Sequence, residues 1–320
     1  MSRRGVRGRT VRGVRIEARA KLNLGLAVGP PRSDGFHDLA TIFQSISLAD
    51  TLEVRPRSRG FTLAVRYEDA SVRRAAVFRK LKTVRIPRGS DNLVLRAARV
   101  VAQRLSLPGA AFRLTKRIPS QAGLGGGSAD AAAAITGLLR LHARRVPAAD
   151  RLALAAAVGS DVPFAMRGGT ALGLGRGERL TSLALRRPFR AVVAMPNWKI
   201  TTASAFHRID RTKYSLTVWK SKLRFAQSIA RDEVRAHDAL RLGNSFEEVL
   251  GDRSHAFASL CVRLRACGLE HPRLTGSGSS VFGIVPAGIA FGRVAKSFVG
   301  EERLFFVRSK SASMQLTMIR

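Results

Sequence analysis

Ile118-Pro119-Ser120-Gln121-Ala122-Gly123-Leu124-Gly125-Gly126-Gly127-Ser128-Ala129-Asp130 packs four glycines into five positions, behind an alternating segment and ahead of an alanine-rich one. Glycine alone takes positive φ without penalty, so successive N–H groups can converge on a ligand that approaches the bare main chain. From Ser128 to Leu141 the residues Ala131, Ile135, Leu138 and Leu139 share one face at helical period. A glycine loop feeding a helix N-terminus presents unpaired amides and the positive end of the helix dipole, both of which favour phosphate. Ser128 is placed to cap that helix or to donate to a phosphate or Mg2+. Taken alone, the stretch reads equally well as a glycine-rich linker, and its context has to decide.

Spacing excludes two commoner nucleotide loops. The chain has no Gly-Lys dipeptide, hence no Walker A lysine for the β and γ phosphates. A strict GxGxxG is also missing, because Ser128 and Glu178 fall where the third glycine belongs, which disfavours a Rossmann site and a protein-kinase loop.

Outward from the loop, Ala111 to Ile118 reads as a strand entering it. Asp91 reads as the N-cap of a helix whose apolar positions Val94, Ala97, Ala98, Val101 and Leu105 follow a 3.6-residue period. Upstream, Val14 to Ala18 and Leu24 to Val28 read as two short strands separated by Lys21 and Asn23, and Phe61 to Tyr67 as another. Downstream come a helix at Ala148 to Val158, a strand at Ala191 to Met195, a helix around Ser254 to Cys267 and a strand at Ser280 to Val285. Strands and helices mix without strict βαβ alternation, so the expected class is α+β. At 320 residues the chain is long enough for about two domains of roughly 150 residues each.

The charge is +34, from 56 Lys+Arg against 22 Asp+Glu. Such excess attracts polyanions, so nucleic acid is an expected partner only non-specifically. Arginines run from Arg3 to Arg320 and aromatics are 6% of the chain, which is not the concentrated basic, aromatic surface of a single-strand reader. No apolar run approaches the roughly 18 residues of a membrane span, and no membrane partner is expected. Cys261 and Cys267 lack zinc spacing, and His37, His142, His207, His237, His255 and His271 show no HxH or HExxH pattern, so no metal ligand set is assigned. The N-terminus has no secretory apolar core, so residues 1–14 are taken as a basic tail on a cytoplasmic protein.

Pro119-x-x-x-Gly123-Leu124-Gly125-Gly126-Gly127-Ser128 resembles the central ATP-phosphate motif of the GHMP kinases. Ala20-Lys21-Leu22-Asn23-Leu24 resembles their N-terminal motif, and Leu274-Thr275-Gly276-Ser277-Gly278-Ser279-Ser280 their C-terminal glycine loop. Further segments, Asp34-Gly35-Phe36-His37-Asp38-Leu39, Asp50-Thr51-Leu52, Asp91-Asn92-Leu93, Ser160-Asp161-Val162-Pro163, Arg176-Gly177-Glu178 and Asn244-Ser245-Phe246-Glu247, are similar to the branch that acts on a cytidine diphosphate-linked sugar alcohol.

The resemblance implies a two-domain α+β fold with the active site in the cleft between the domains. The N-terminal half, 15–178, would be ATP-binding and like domain 2 of ribosomal protein S5; the C-terminal half, 179–320, would be a ferredoxin-like α/β sandwich. It implies ATP and Mg2+ as cofactors and a small-molecule cytidine diphosphate-linked alcohol as substrate. It maps the catalytic pair onto Lys21 and Asp161, with Asp161 as base. ATP would lie on Pro119, Ser120, Gln121, Ala122, Gly123, Leu124, Gly125, Gly126, Gly127, Ser128 and Ala129. The substrate would meet Asn23, Phe36, His37, Phe206, Gly276, Ser277 and Gly278, with the aromatic rings stacking the base. Asp130 reads as a rival base, a dipole partner or an indirect Mg2+ contact. Two other readings stay open: a GHMP kinase for homoserine or mevalonate, and a basic RNA-binding protein.

Overall fold

The strand that carries Lys21 shows how the fold is built. In the computed structural model, which describes residues 13–71, 86, 89, 91–212, 215–231, 233–312 and 314–319, β1 runs unbroken over Gly13–Pro31. The two short strands expected there are one, because Lys21 and Asn23, which look like a polar interruption, are themselves buried. Burial alternates at Arg15 and Glu17, where one face meets solvent, and becomes continuous from Ala20 to Gly29, where both faces are covered. β1 pairs antiparallel with β2 (His37–Pro56), and its register shifts between Arg19 and Lys21 and again between Asn23 and Gly25. These two irregularities bracket Lys21 to Asn23. Bulges of this kind re-aim side chains.

β2 is long enough to serve two neighbours. Its Thr51–Pro56 end pairs with β4 (Ala110–Lys116), which pairs in parallel with β3 (Phe61–Tyr67). The Leu39–Gln44 end pairs with β5 (Thr170–Gly175), which leads to β6 (Arg179–Leu185). One face of this sheet carries α1 (Leu93–Leu105), α2 (Gly126–Leu141), α3 (Ala148–Val158) and α4 (Val162–Arg167). α1 is capped by Asn92 rather than by the expected Asp91: the Asn92 side chain accepts from Val94 N at 2.8 Å. α2 starts at Gly126, two residues before the expected Ser128, and is buried nearly all round. Its small residues permit this; a Cβ at Gly137 would come within 2.6 Å of Val54 Cγ2 on β2.

The second layer is a four-stranded antiparallel sheet in the order β11-β7-β10-β9, formed by β7 (Arg190–Met195), β9 (Glu270–Leu274), β10 (Val281–Val285) and β11 (Arg303–Arg308). α8 (Ser254–Ala266) packs on β9 and β10, whereas α6 (Leu216–Ile229) packs on β1 and β2 of the first sheet and α7 (Ala236–Leu240) on β1 and β9; α5 (Thr202–Asp210) and α9 (Phe291–Ser297) complete the helices of this half. Two strands return to the first sheet: β8 (Glu233–Val234) pairs with β6, and β12 (Met314–Ile319) pairs with β1 over Gly13 to Ala18. The 178/179 position therefore falls between two paired strands, β5 and β6, of one sheet. The expected basic tail through residue 12 and most of the 69–88 loop lie outside the described residues. Among the described residues no helix is long and apolar enough to cross a membrane.

Candidate active site

Two glycine loops meet at the junction of the layers. The first runs from the end of β4 to α2, and the second joins β9 to β10. Ser280 N donates to Ala122 O at 3.3 Å, and Thr275 Oγ1 donates to Gly123 O at 3.4 Å. Gly123 has φ of +74°, and a Cβ there would lie 2.1 Å from Thr275 O, so the contact requires glycine twice over. Gly125, also at positive φ, is the N-cap of α2 and offers no side-chain capping bond. The first-turn amides of α2 therefore lack an intrahelical acceptor and face a cavity of about 450 Å3 lined by Gly125, Gly126, Gly127 and Ser128.

Lys21 lies against this loop. Its backbone N donates to Leu124 O at 3.0 Å, and a Cβ on Gly125 would stand 2.9 Å from Lys21 Cγ. The ammonium donates to Asn23 Oδ1 at 2.6 Å, lies 3.7 Å from Asp161 Oδ2 and is 5.6 Å from the centre of the Phe43 ring. Lys21 is 8% exposed, so its charge acts in a poorly solvated setting. Asp161 occupies the N-cap position of α4 but makes no side-chain capping bond, which leaves its carboxylate to Lys21 and the cavity.

Asn23, also on the cavity wall, is held by several partners. Its Oδ1 also accepts from Gly276 N at 3.0 Å, its Nδ2 donates to Thr41 Oγ1 at 2.7 Å, and its own N–H donates to Thr275 Oγ1 at 3.1 Å. It joins the Lys21 strand to the second glycine loop. That loop is braced from behind by Asn244, whose Nδ2 donates to Leu274 O and Gly276 O, both at 2.9 Å, and by Glu247, whose Oε1 accepts from Leu274 N at 2.8 Å.

Beneath the first loop is a charge cluster that the sequence did not disclose. Lys116, at the end of β4, donates to both Asp50 and Asp130, the latter at 2.8 Å, and all three are buried. Asp50 Oδ1 also accepts from the amides of Arg117 and Ile118, at 2.5 and 2.8 Å, fixing the chain as it enters the loop. Against the burial that lowers it, the two carboxyls raise the Lys116 pKa. Burial pushes the Asp130 carboxyl well above the aspartate range, Lys116 pulls it down and Asp50 pushes it up again; burial prevails. Asp130 also lines the cavity, with Oδ2 turned to Lys116.

The remaining expected residues divide into two groups. Phe206, Gly276 and Ser277 line the cavity, and Ser277 Oγ lies 3.1 Å from Thr202 Oγ1. Phe36, His37, Ala129 and Gly278 do not line it. His37 is buried, stacks on Phe206 at 5.2 Å and pairs through Nε2 with Asp210 Oδ1 at 2.9 Å. Phe206 also meets the Phe246 ring edge-on at 5.0 Å. Phe36 is 47% exposed on the β1–β2 turn, with Arg176 Cζ 4.8 Å above its ring. Asn92, Leu93, Lys116 and Thr202 line the cavity without having been assigned to it from sequence. Asn92 had a signal, since it stands in one of the matched segments; Lys116 was one cation among 56.

Comparison with known proteins bears directly on this geometry. Residues 92–169 match the family model for the GHMP kinase N-terminal domain. The chain is 39% identical over 279 residues to 4-diphosphocytidyl-2-C-methyl-D-erythritol kinase of Solibacter usitatus, covering 86% of this chain and 82% of that protein. A crystal structure of 4-(cytidine 5'-diphospho)-2C-methyl-D-erythritol kinase superposes with a TM-score of 0.68 at 31% identity, covering 92% of this chain and 98% of the other. Homoserine kinase from Cytophaga hutchinsonii superposes as well, with a TM-score of 0.69 over 98% of this chain and 99% of its own, but at 15% identity it shares the fold alone.

Proposed function

The chain belongs to the 4-diphosphocytidyl-2-C-methyl-D-erythritol kinase family of GHMP kinases, and from that premise we propose how its residues carry the reaction. The chain is an ATP-dependent kinase that phosphorylates the 2-hydroxyl of 4-diphosphocytidyl-2-C-methyl-D-erythritol, releasing ADP and the 2-phosphate, in the non-mevalonate route to isoprenoid precursors. The observation that carries the site assignment is the 3.7 Å Lys21–Asp161 pair on the wall of the cavity that the glycine-loop amides also line.

An alcohol ionises far above neutrality, so its proton needs an acceptor as the new phosphorus–oxygen bond forms. Asp161 is the acceptor in this reading: its carboxylate is uncommitted to capping and opens on the cavity. Lys21 orients Asp161 and offsets charge on the transferring phosphoryl group. Phosphoryl transfer passes through a loose transition state, so held positive charge and alignment contribute more than the base alone. The amides of Gly125, Gly126 and Gly127 hold the phosphates.

Among the described residues no three His, Cys, Asp or Glu side chains converge as a metal cage. Mg2+ keeps several waters and leans on phosphate oxygens, so it needs no all-protein cage. The Ser128 hydroxyl, on the cavity wall, is the hard oxygen placed to hold it. When bound, the ion neutralises phosphate charge.

For the cytidine end, Phe206 offers an aromatic wall, His37 packs behind it, and Phe36 offers an exposed ring from the adjoining turn. Asn23 braces Lys21 through Oδ1 and, on the cavity wall, is also placed to meet the sugar alcohol. A cytoplasmic setting, where ATP is at hand, accords with two buried cysteines that are not bridged.

The test is ADP release by the purified protein with Mg-ATP and, in turn, the cytidyl alcohol, homoserine and mevalonate. Release with the cytidyl alcohol alone supports the reading. Release with homoserine or mevalonate instead would replace it, and salt-sensitive RNA binding without turnover would remove it.

A further inference from the structure

Phe36 is an apolar ring held outward by a tightly bonded turn. Arg32 N donates to Phe36 O at 2.7 Å, Gly35 N to Arg32 O at 3.1 Å, and Phe36 N to Asp34 Oδ1 at 3.2 Å. The backbone of Phe36 is thus fixed, while its ring, 47% exposed, has little protein around it. What covers the ring comes from a different hairpin. The pairing of Leu39 with Gly175 brings the β5–β6 turn beside the β1–β2 turn, and Arg176 at its tip lays its guanidinium 4.8 Å from the Phe36 ring centre.

Arg176 is itself held in place. Glu178 Oε2 accepts from Arg176 N at 2.7 Å, and the flanking Gly175 and Gly177 have φ of +69° and +99°. Among the described residues Arg176 forms no ion pair with a carboxylate; the nearby Asp34 pairs with Arg32 instead. Against a burial cost, the Phe36 N–H and Arg32 hold the Asp34 carboxylate below its ordinary value, and the field of Arg176 adds to theirs. A guanidinium stacks flat on an aromatic face and restricts the ring's rotation, which lessens the ordering cost when a second planar group stacks on the ring.

We propose that Arg176 is a positioning residue for the pyrimidine end of the substrate: it backs one face of Phe36 and so presents the rest of that exposed ring to the base. The role is exerted through Phe36, not through contact with the reacting atoms. It rests on the reading of Phe36 given above.

The experiment is a double-mutant cycle read as KM for the cytidyl alcohol, KM for ATP and kcat, using Arg176→Ala, Phe36→Leu and the pair. Phe36 is exposed and Arg176 half-buried, both on turns, and thermal melting checks that each variant is folded. Arg176→Ala is expected to raise KM for the cytidyl alcohol about two- to five-fold, the range of an exposed cation–ring contact, with KM for ATP and kcat unchanged. Arg176→Lys, which keeps the charge but not the planar stack, should recover part of the loss. In the Phe36→Leu background, Arg176→Ala should add nothing. An Arg176→Ala effect that persists in full without Phe36 overturns the proposal, since the arginine would then be acting directly on the ligand's phosphates. If Phe36→Leu raises KM and Arg176→Ala does not, the proposal alone falls. If Phe36→Leu leaves KM unchanged, the cytidine reading of Phe36 falls with it.

Discussion

Asn23 Oδ1 lies 2.6 Å from Lys21 Nζ and also accepts, at 3.0 Å, the amide of Gly276. One side-chain oxygen thereby fixes the ammonium and ties it to the second glycine loop. Replacing Asn23 with Ala frees Lys21 to move relative to Asp161. Turnover should fall by about tenfold to a hundredfold, the scale set by misplacing a reacting group by an ångström, with a smaller change in KM for either substrate. Steady-state kinetics that showed a rise in KM for the cytidyl alcohol at unchanged kcat would instead make Asn23 a substrate contact.

Asp161→Asn keeps the shape of the side chain but removes the proton acceptor. We expect kcat to drop by about 10²–10⁴, while calorimetric titration with a non-hydrolysable ATP analogue gives near wild-type affinity, because the glycine-loop amides are untouched. Wild-type turnover in this variant would reassign the base.

Gly123→Ala tests the join between the two loops. The residue is at φ of +74°, and the added methyl would meet Thr275 O at 2.1 Å. Strain of this kind costs about 1–3 kcal/mol, visible as a lower unfolding midpoint by calorimetry. Because the loops must separate to relieve it, ATP affinity should weaken as well. A variant with unchanged ATP affinity would show that the loop contact is not needed for nucleotide binding.

Asp130→Asn should alter how stability depends on pH. The folded protein raises the Asp130 pKa, by burial first, so the proton is bound more tightly folded than unfolded. The stability linked to that proton is complete below the unfolded value, 3.8, and is lost as pH rises toward the folded value. Asparagine does not titrate and still accepts from Lys116. The unfolding free energy of the variant relative to wild type should therefore climb as pH rises above 4, by at most about 1.4 kcal/mol per pH unit. Denaturant unfolding measured at several pH values checks the slope; a constant difference would place the proton elsewhere.

The glycine loop and the two helices beside it were legible because each leaves a local pattern, clustered glycine or a 3.6-residue period; the pairing of Lys21 with Asp161 came only through the family resemblance. The continuity of β1 was not legible, since Lys21 and Asn23 are buried by partners far along the chain, Leu124 and Asp161 for the first and Gly276 for the second. The α1 cap shifted by one residue because Asp91 and Asn92 are equally good caps by type, and only the backbone decides which side chain reaches Val94 N. Lys116 stayed hidden for a different reason. Its significance lies in being buried between Asp50 and Asp130, and nothing in a chain of 56 cations distinguishes a buried one. The Arg176–Phe36 contact depends on the register of β2 against β5, which composition does not encode.

β12 completes the first sheet by pairing Met314–Ile319 with the outer edge of Gly13–Ala18. During vectorial synthesis, β1 emerges long before its partner on that side, about 300 residues downstream. Until then the strand that delivers Lys21 has an open edge, able to pair with another nascent chain. The interval before β12 docks is when this enzyme is most exposed to misassembly.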